Sequence, residues 1–365
     1  MLAKTSPASA IGWQLPPFYC PLADVGVHPA AGHLDEQALA WADEFGLYPD
    51  ATERAWARAI HNADFVGRVI PVGNAETLLL FIEWNYWAWA IDDWHDSGTG
   101  TGRTADVTDH SIRVLRSLEA PGSAMLAAGP LNAALSDLVE RTRAMFTPSQ
   151  LHQLCVGARD WLYGASWQTA NAERRIMPTL NDFAAVRISI NGTRFSLAFS
   201  ETANGIRLPP DVQYSPSVQA LTDAAGFIVS CDNDLFSYAL DDHNDPPSQN
   251  LVNVLAHHTG RTPKEALPTA VAIRDRAMTL FVNLREQLAQ DADVELRRYL
   301  DALGNYISGC IRWMCAAPRY ASPRNRNALP VPGAYYDITW RDTPSDAATE
   351  PLNIPAVSWW WKQLT

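Results

Sequence analysis

Two segments combine oxygen-bearing side chains with otherwise apolar surroundings: Asp92-Asp93-Trp94-His95-Asp96, and Asn233-Asp234-Leu235-Phe236-Ser237-Tyr238-Ala239-Leu240-Asp241. Carboxylate, amide and hydroxyl oxygens gathered in this way suit hard cations such as Mg²⁺. In a helix, Asp92 and Asp96 stand four residues apart and share a face, where two carboxylates can bridge divalent ions. Asp93 points about a hundred degrees away and is better placed to engage an arginine. Going back along the Asp92 face gives Trp89 and Ala88, Asn85 and Trp84, then Phe81, so the acidic pair sits at the rim of an aromatic stripe. Acids at a helix C-terminus oppose the macrodipole, a cost that bound metal would offset; the competing reading is a solvated helix end. In the second segment Asn233, Ser237 and Asp241 fall at i, i+4 and i+8, one stripe able to chelate one Mg²⁺. Its competing reading is a polar stripe facing water.

Helical periodicity predicts elements near 35–46, 52–60, 74–96, 104–118, 130–146, 148–173, 179–201, 216–242, 249–258, 263–289 and 292–316, separated by Gly- and Pro-rich joints. No alternating strand pattern of useful length and no internal repeat is present. Residues 1–34 read as an extended arm, and residues 321–365 as a C-terminal loop or lid and tail. The expectation is an all-α chain, one domain over 1–365, built as a single bundle too large for four helices.

Hydrophobic residues make up 47% and charged residues 19%, enough to bury a large core. The 14 Trp, 11 Tyr and 11 Phe should be mostly core, but aromatic faces also suit a cavity that holds carbocations. Lys+Arg 28 against Asp+Glu 40 gives a net charge of −12, which disfavours nucleic acid and anionic membrane partners. An anionic substrate must then be received through metal ions or a few placed arginines. The five cysteines are scattered and read as reduced core residues of a cytoplasmic protein. No segment is long and apolar enough to span a membrane. The chain can equally be a monomer or a homodimer.

Taken together, these residues resemble the bacterial class I terpene synthases (terpene cyclases). Beyond the two acidic segments, Arg187 lies 46 residues before Asn233, and Arg319-Tyr320 begins 86 residues after it, the spacings of the family's diphosphate-sensing arginine and C-terminal Arg-Tyr pair. Leu15-Pro16-Pro17-Phe18-Tyr19-Cys20-Pro21, His28-Pro29 and Trp41 look like the family's N-terminal arm. The resemblance implies a single large antiparallel helical bundle around a deep apolar cavity, the class I terpenoid synthase architecture, with three Mg²⁺ at its mouth. Asp92 and Asp96 would hold two, and Asn233, Ser237 and Asp241 the third. Asp93, Arg187, Arg319 and Tyr320 would engage the diphosphate. Gly192 marks an expected helix break, with the Asn191 carbonyl assisting ionisation. Phe81, Trp84, Trp89, Phe195, Phe199 and Trp313 are candidate walls. Asp241 stands where the family usually has Glu, and Leu240 where a basic residue is common.

The implied activity is cyclisation of an allylic isoprenyl diphosphate, farnesyl diphosphate first and geranylgeranyl diphosphate second. Asp241-Asp242-His243-Asn244-Asp245 is itself a DDxxD, the pattern of chain-elongating prenyl synthases. A lone Arg103 after the first motif and the lack of an N-terminal Gly-Gly-Lys argue against that class. A helical phosphohydrolase built on His61 and His95-Asp96 would leave Asn233, Ser237 and Arg319-Tyr320 unused.

Overall fold

The computed structural model describes the chain apart from residues 1–12, 98–102, 121, 124, 127, 242–246 and 323–328, and apart from the side chains of residues 93–97, 240 and 241. It is all-α: α1 (Ala31–Phe45), α2 (Ala51–Ala59), α3 (Asn62–Val69), α4 (Ala75–Ser97), α5 (Arg103–Glu119), α6 (Pro130–Met145), α7 (Pro148–Glu173), α8 (Leu180–Ile190), α9 (Thr193–Asn204), α10 (Pro210–Gln213), α11 (Pro216–Asp241), α12 (Leu251–Thr259), α13 (Pro263–Gln290), α14 (Val294–Ala316), α15 (Pro318–Ala321) and α16 (Pro355–Ser358), closed by a 3₁₀ turn over Trp359–Gln363. Helix ends follow local chemistry. Thr147 and Thr262 each form a capping box with the residue three further on, ahead of Pro148 and Pro263. Asp50, Thr179, Asn250 and Asp293 cap α2, α8, α12 and α14 with their side chains.

Helices α4 and α11 are the two elements that carry the acidic segments, and both are apolar on more than one face. Ile82, Tyr86 and Trp87 of α4, and Phe227, Ile228 and Phe236 of α11, are fully buried. A helix apolar on several sides must be surrounded. Accordingly α4 is packed by α1, α3, α6 and α9, and α11 by α8, α12, α13 and α14. Helix α7 lies across α5, α8 and α9, and α14 lies against α3.

Three features differ from the periodicity reading. The element expected over 179–201 is two helices, α8 and α9, divided at the break that the resemblance implied at Gly192, which turns into the left-handed region at φ 71°. Helix α3 was not anticipated, since its eight residues follow directly on His61, itself left-handed at φ 57°. A strand pair joins the two ends of the chain: β1 (Phe18–Tyr19) runs parallel to β2 (Trp340–Arg341). Two-residue strands are too short to leave an alternating pattern. Read as loop or lid, the tail is built into the body at its end. Trp360 is fully buried and meets Phe227 edge-on at 5.8 Å. No described helix is long and apolar enough to cross a membrane.

Candidate active site

A cavity of about 350 Å³ opens between α4, α7, α8, α9, α11 and α14. From α4 it takes Phe81, Trp84, Asn85, Ala88, Trp89 and Asp92, one stripe at helical spacing. Asn233 and Ser237 enter from α11, Arg187 from α8, Phe195 from α9, Trp313 from α14, and Arg319 and Tyr320 from α15. Asp92 and Asn233 therefore face one shared void rather than two outer surfaces. Asn191 lies at the α8–α9 break, also on the cavity. The side chains of Asp93, Asp96 and Asp241 lie outside the described residues, as does the second DDxxD beyond Asp241. Phe199 is not a wall. It sits behind Phe81, stacked at 4.5 Å with 6° between the rings, and backs the lining from the core.

The polar groups at the mouth are joined. Arg187 donates to Asn233 Oδ1 at 3.0 Å and pairs with Asp234 Oδ1 at 2.5 Å. Asn233 Nδ2 in turn donates to the Tyr320 hydroxyl at 3.1 Å. Arg319 lies over the face of Trp89, 4.3 Å from the ring centroid, a cation–π contact that leaves the guanidinium edges to other partners. Asp234 is almost fully buried; its second oxygen accepts from the Leu251 N–H at 2.8 Å. Burial pushes the Asp234 carboxyl up, and the Arg187 guanidinium opposes that rise.

The break between α8 and α9 is held by Asn191. Its amide donates to Gly226 O at 2.8 Å and to Ser230 Oγ at 2.6 Å, while its oxygen accepts from Thr193 N at 3.1 Å. Ser230 also donates to Arg187 O at 2.9 Å. Helix α11 can approach this closely because residue 226 is glycine: a Cβ there would meet Thr193 Oγ1 at 2.8 Å. The same logic holds across the cavity, where a Cβ on Gly157 of α7 would collide with the backbone of Phe195.

The donor set toward the mouth is oxygen only: the Asp92 carboxylate, the Asn233 amide and the Ser237 hydroxyl. It fits a hard divalent cation.

Several residues of the site escaped the sequence reading. Phe65, Trp161 and Tyr306 line the cavity, from elements whose apolar residues look like ordinary core. Asp234 carried a signal, an acid beside a ligand stripe on a buried helix, but its partner lies far away in sequence. Beneath it, Arg274 of α13 is fully buried and pairs with Asp232 through two bonds of 2.7 and 3.1 Å. Arg274 also donates to Asp275 at 3.1 Å and to the Tyr19 carbonyl of the arm. Asp275 accepts from Ser345 N at 2.7 Å. The arm at Tyr19 and the tail at Ser345 are thereby tied, through Arg274 and Asp275 of α13, to the helix that carries Asn233.

Residues 83–279 match the family model described as terpene synthase family 2, C-terminal metal binding. Spiroviolene synthase from Streptomyces violens is 32% identical over 350 residues, covering 95% of this chain and 96% of that one. (+)-T-muurolol synthase from Streptomyces clavuligerus, whose name specifies cyclisation of (2E,6E)-farnesyl diphosphate, is 28% identical over 94% of this chain and 81% of its own. Among solved structures, the SVS_A2 protein from ancestral sequence reconstruction superposes with a TM-score of 0.81 at 32% identity, covering 95% of this chain and 99% of that one.

Proposed function

The chain belongs to the terpene synthase family, and from that premise we propose that it is a Mg²⁺-dependent class I cyclase of an allylic isoprenyl diphosphate. The observation that carries this reading is a cavity whose mouth presents Asp92, Arg187, Asn233, Arg319 and Tyr320 together and whose walls are aromatic. A hydrocarbon chain enters first, and its diphosphate stays at the polar mouth. Arg187 and Arg319 offer forked donors that match phosphate oxygens, and the Tyr320 hydroxyl adds another. As the allylic C–O bond breaks, these donors meet the charge that develops on the leaving diphosphate. Bound divalent metal, which Asp92, Asn233 and Ser237 would hold, supplies further positive charge there.

The cation left behind lies among Phe81, Trp84, Trp89, Phe195 and Trp313. Each ring face stabilises it by up to ~2 kcal/mol when desolvated, and together the rings exclude water that would quench it. Wall shape selects which carbon–carbon bond forms next.

Farnesyl diphosphate is the substrate in this reading, supported by the substrate that the name of the similar muurolol synthase specifies. Relatives of the chain include diterpene synthases as well as sesquiterpene synthases, which favours geranylgeranyl diphosphate as the second reading. Incubation with Mg²⁺ and geranyl, farnesyl or geranylgeranyl diphosphate, followed by gas chromatography, tests both. A cyclic C15 or C20 product is expected from one of them. A longer diphosphate, or hydrolysis alone, would overturn the cyclase assignment.

A further inference from the structure

The turn between α2 and α3 holds two acceptors that serve the cavity without lining it. The Ile60 carbonyl accepts from Trp313 Nε1 at 2.6 Å, and Asn62 Oδ1 accepts from Trp89 Nε1 at 3.0 Å. Between them stands His61, a non-glycine residue in the left-handed region with no side-chain cap for α3. Such a conformation persists only where the surroundings enforce it. Asn62 is fully buried, and its Nδ2 finds no partner among the described residues. A buried amide with an idle N–H is costly, so its value lies in the oxygen that holds the indole.

Each of the two tryptophans leads on to one member of the Arg-Tyr pair. Trp89 presents its face to Arg319 at 4.3 Å, and Trp313 meets Tyr320 edge-on at 5.4 Å and 88°. Helix α15, which carries both, also rests against α2. We propose that the Ile60–Asn62 turn is a positioning device for diphosphate recognition, with Asn62 acting through the Trp89 indole to aim Arg319. Asn62 is thus a positioning residue rather than a catalytic one. This deepens the functional reading above and rests on Arg319 and Tyr320 as diphosphate ligands.

The test uses the full chain and inorganic pyrophosphate with Mg²⁺, read by titration calorimetry, with thermal unfolding in parallel. Trp89→Phe keeps an aromatic face under Arg319 but removes the N–H together with the pyrrole half of the indole; Asn62→Leu removes the acceptor and leaves the indole whole. Each is expected to weaken pyrophosphate binding roughly five- to ten-fold, because Arg319 loses its aim, with little change in melting temperature. The double variant should bind no worse than either single one, since both break the same link. Wild-type affinity in Trp89→Phe would overturn the proposal even if Asn62→Leu does not fold. Losses that multiply in the double variant would overturn it too, because Asn62 would then act by another route. A wild-type chain that binds no pyrophosphate with Mg²⁺ would instead refute the functional reading itself.

Discussion

Arg187 Nη2 donates to Asn233 Oδ1 at 3.0 Å, so an arginine on α8 and an amide on α11 touch directly at the mouth of the cavity. An amide oxygen carries two lone pairs, so one can serve the guanidinium while the other faces a cation. In the proposed function, diphosphate sensing and metal binding are thereby coupled through a single atom. Asp234 anchors the arginine from below, which sets its reach.

Removing that anchor should be felt twice. Asp234→Ala leaves Arg187 without its counter-charge in a largely buried position, and a broken buried pair typically costs ~3–5 kcal/mol. Chemical denaturation should register this loss, and product formation should fall with it. Arg187→Lys keeps the charge but not the fork, so it should lower turnover with much less loss of stability. Wild-type turnover in Asp234→Ala would show that Arg187 needs no anchor.

Metal dependence should track the oxygen donors. EDTA is expected to abolish product, and Mg²⁺ to restore it. Asp92→Ala and Asn233→Ala should each reduce turnover by at least ~100-fold. Mg²⁺ with inorganic pyrophosphate should raise the melting temperature of the wild-type chain and not that of Asn233→Ala. An unchanged thermal response in the variant would remove Asn233 from the ligand set.

The cavity walls separate product control from folding. Phe195 is only half-buried on the cavity side, so Phe195→Ala should change the product spectrum at modest cost in stability. Phe81 is 1% exposed and stacked on Phe199, so Phe81→Ala should lose ~3–5 kcal/mol as well as altering products. Gas chromatography and urea titration read the two effects separately. An identical product profile in Phe195→Ala would count against its role as a wall.

Glu201 on α9 predicts a pH dependence remote from the chemistry. Burial pushes its carboxyl up to about 7 from 4.5, opposed only by a hydrogen bond from Gln213 at 3.4 Å. The folded state therefore holds this proton more tightly than the unfolded chain. Its contribution to stability is complete below pH 4.5 and is lost as pH rises through about 7. Glu201→Gln, neutral throughout, should be more stable than the wild type above pH 7, by roughly 2–3 kcal/mol. Parallel unfolding curves for the two proteins from pH 5 to 8 would contradict this.

The Arg274–Asp232 pair makes a stability prediction that spares the site's own groups. Arg274→Met leaves both Asp232 and Asp275 without their counter-charge in the core and should destabilise by ~3–5 kcal/mol, while Arg274→Met with Asp232→Leu should recover part of it, Asp275 keeping the Ser345 N–H. Denaturant midpoints distinguish the two cases. Activity should fall in step with stability, because Asp232 and Asn233 are neighbours on one helix.

Much of the site was legible because it follows helical spacing. Phe81, Trp84, Trp89 and Asp92 can be placed on one face of α4 by counting alone, and Asn233 with Ser237 on one face of α11. The partners of these faces were not legible in the same way. Nothing local in Asp234 names Arg187, nothing in Asp232 names Arg274, and nothing in Asn62 names Trp89. Trp161 shows the same limit: it lines the cavity from α7, a helix that α9 approaches closely at Gly157, one turn earlier.

The sequence by itself determined that the chain is helical, which helices carry oxygen ligands, and where Gly192 interrupts them. Those properties depend on residue spacing and backbone preference within a few turns. Tertiary structure alone decided that Asp92 and Asn233 share one void, and that Phe199 backs a wall instead of forming one. It also decided that a strained turn at His61 supports the tryptophans beneath Arg319 and Tyr320. Which groups meet depends on how helices distant in sequence pack, and that is set by close approach and burial over the whole chain rather than by any local pattern.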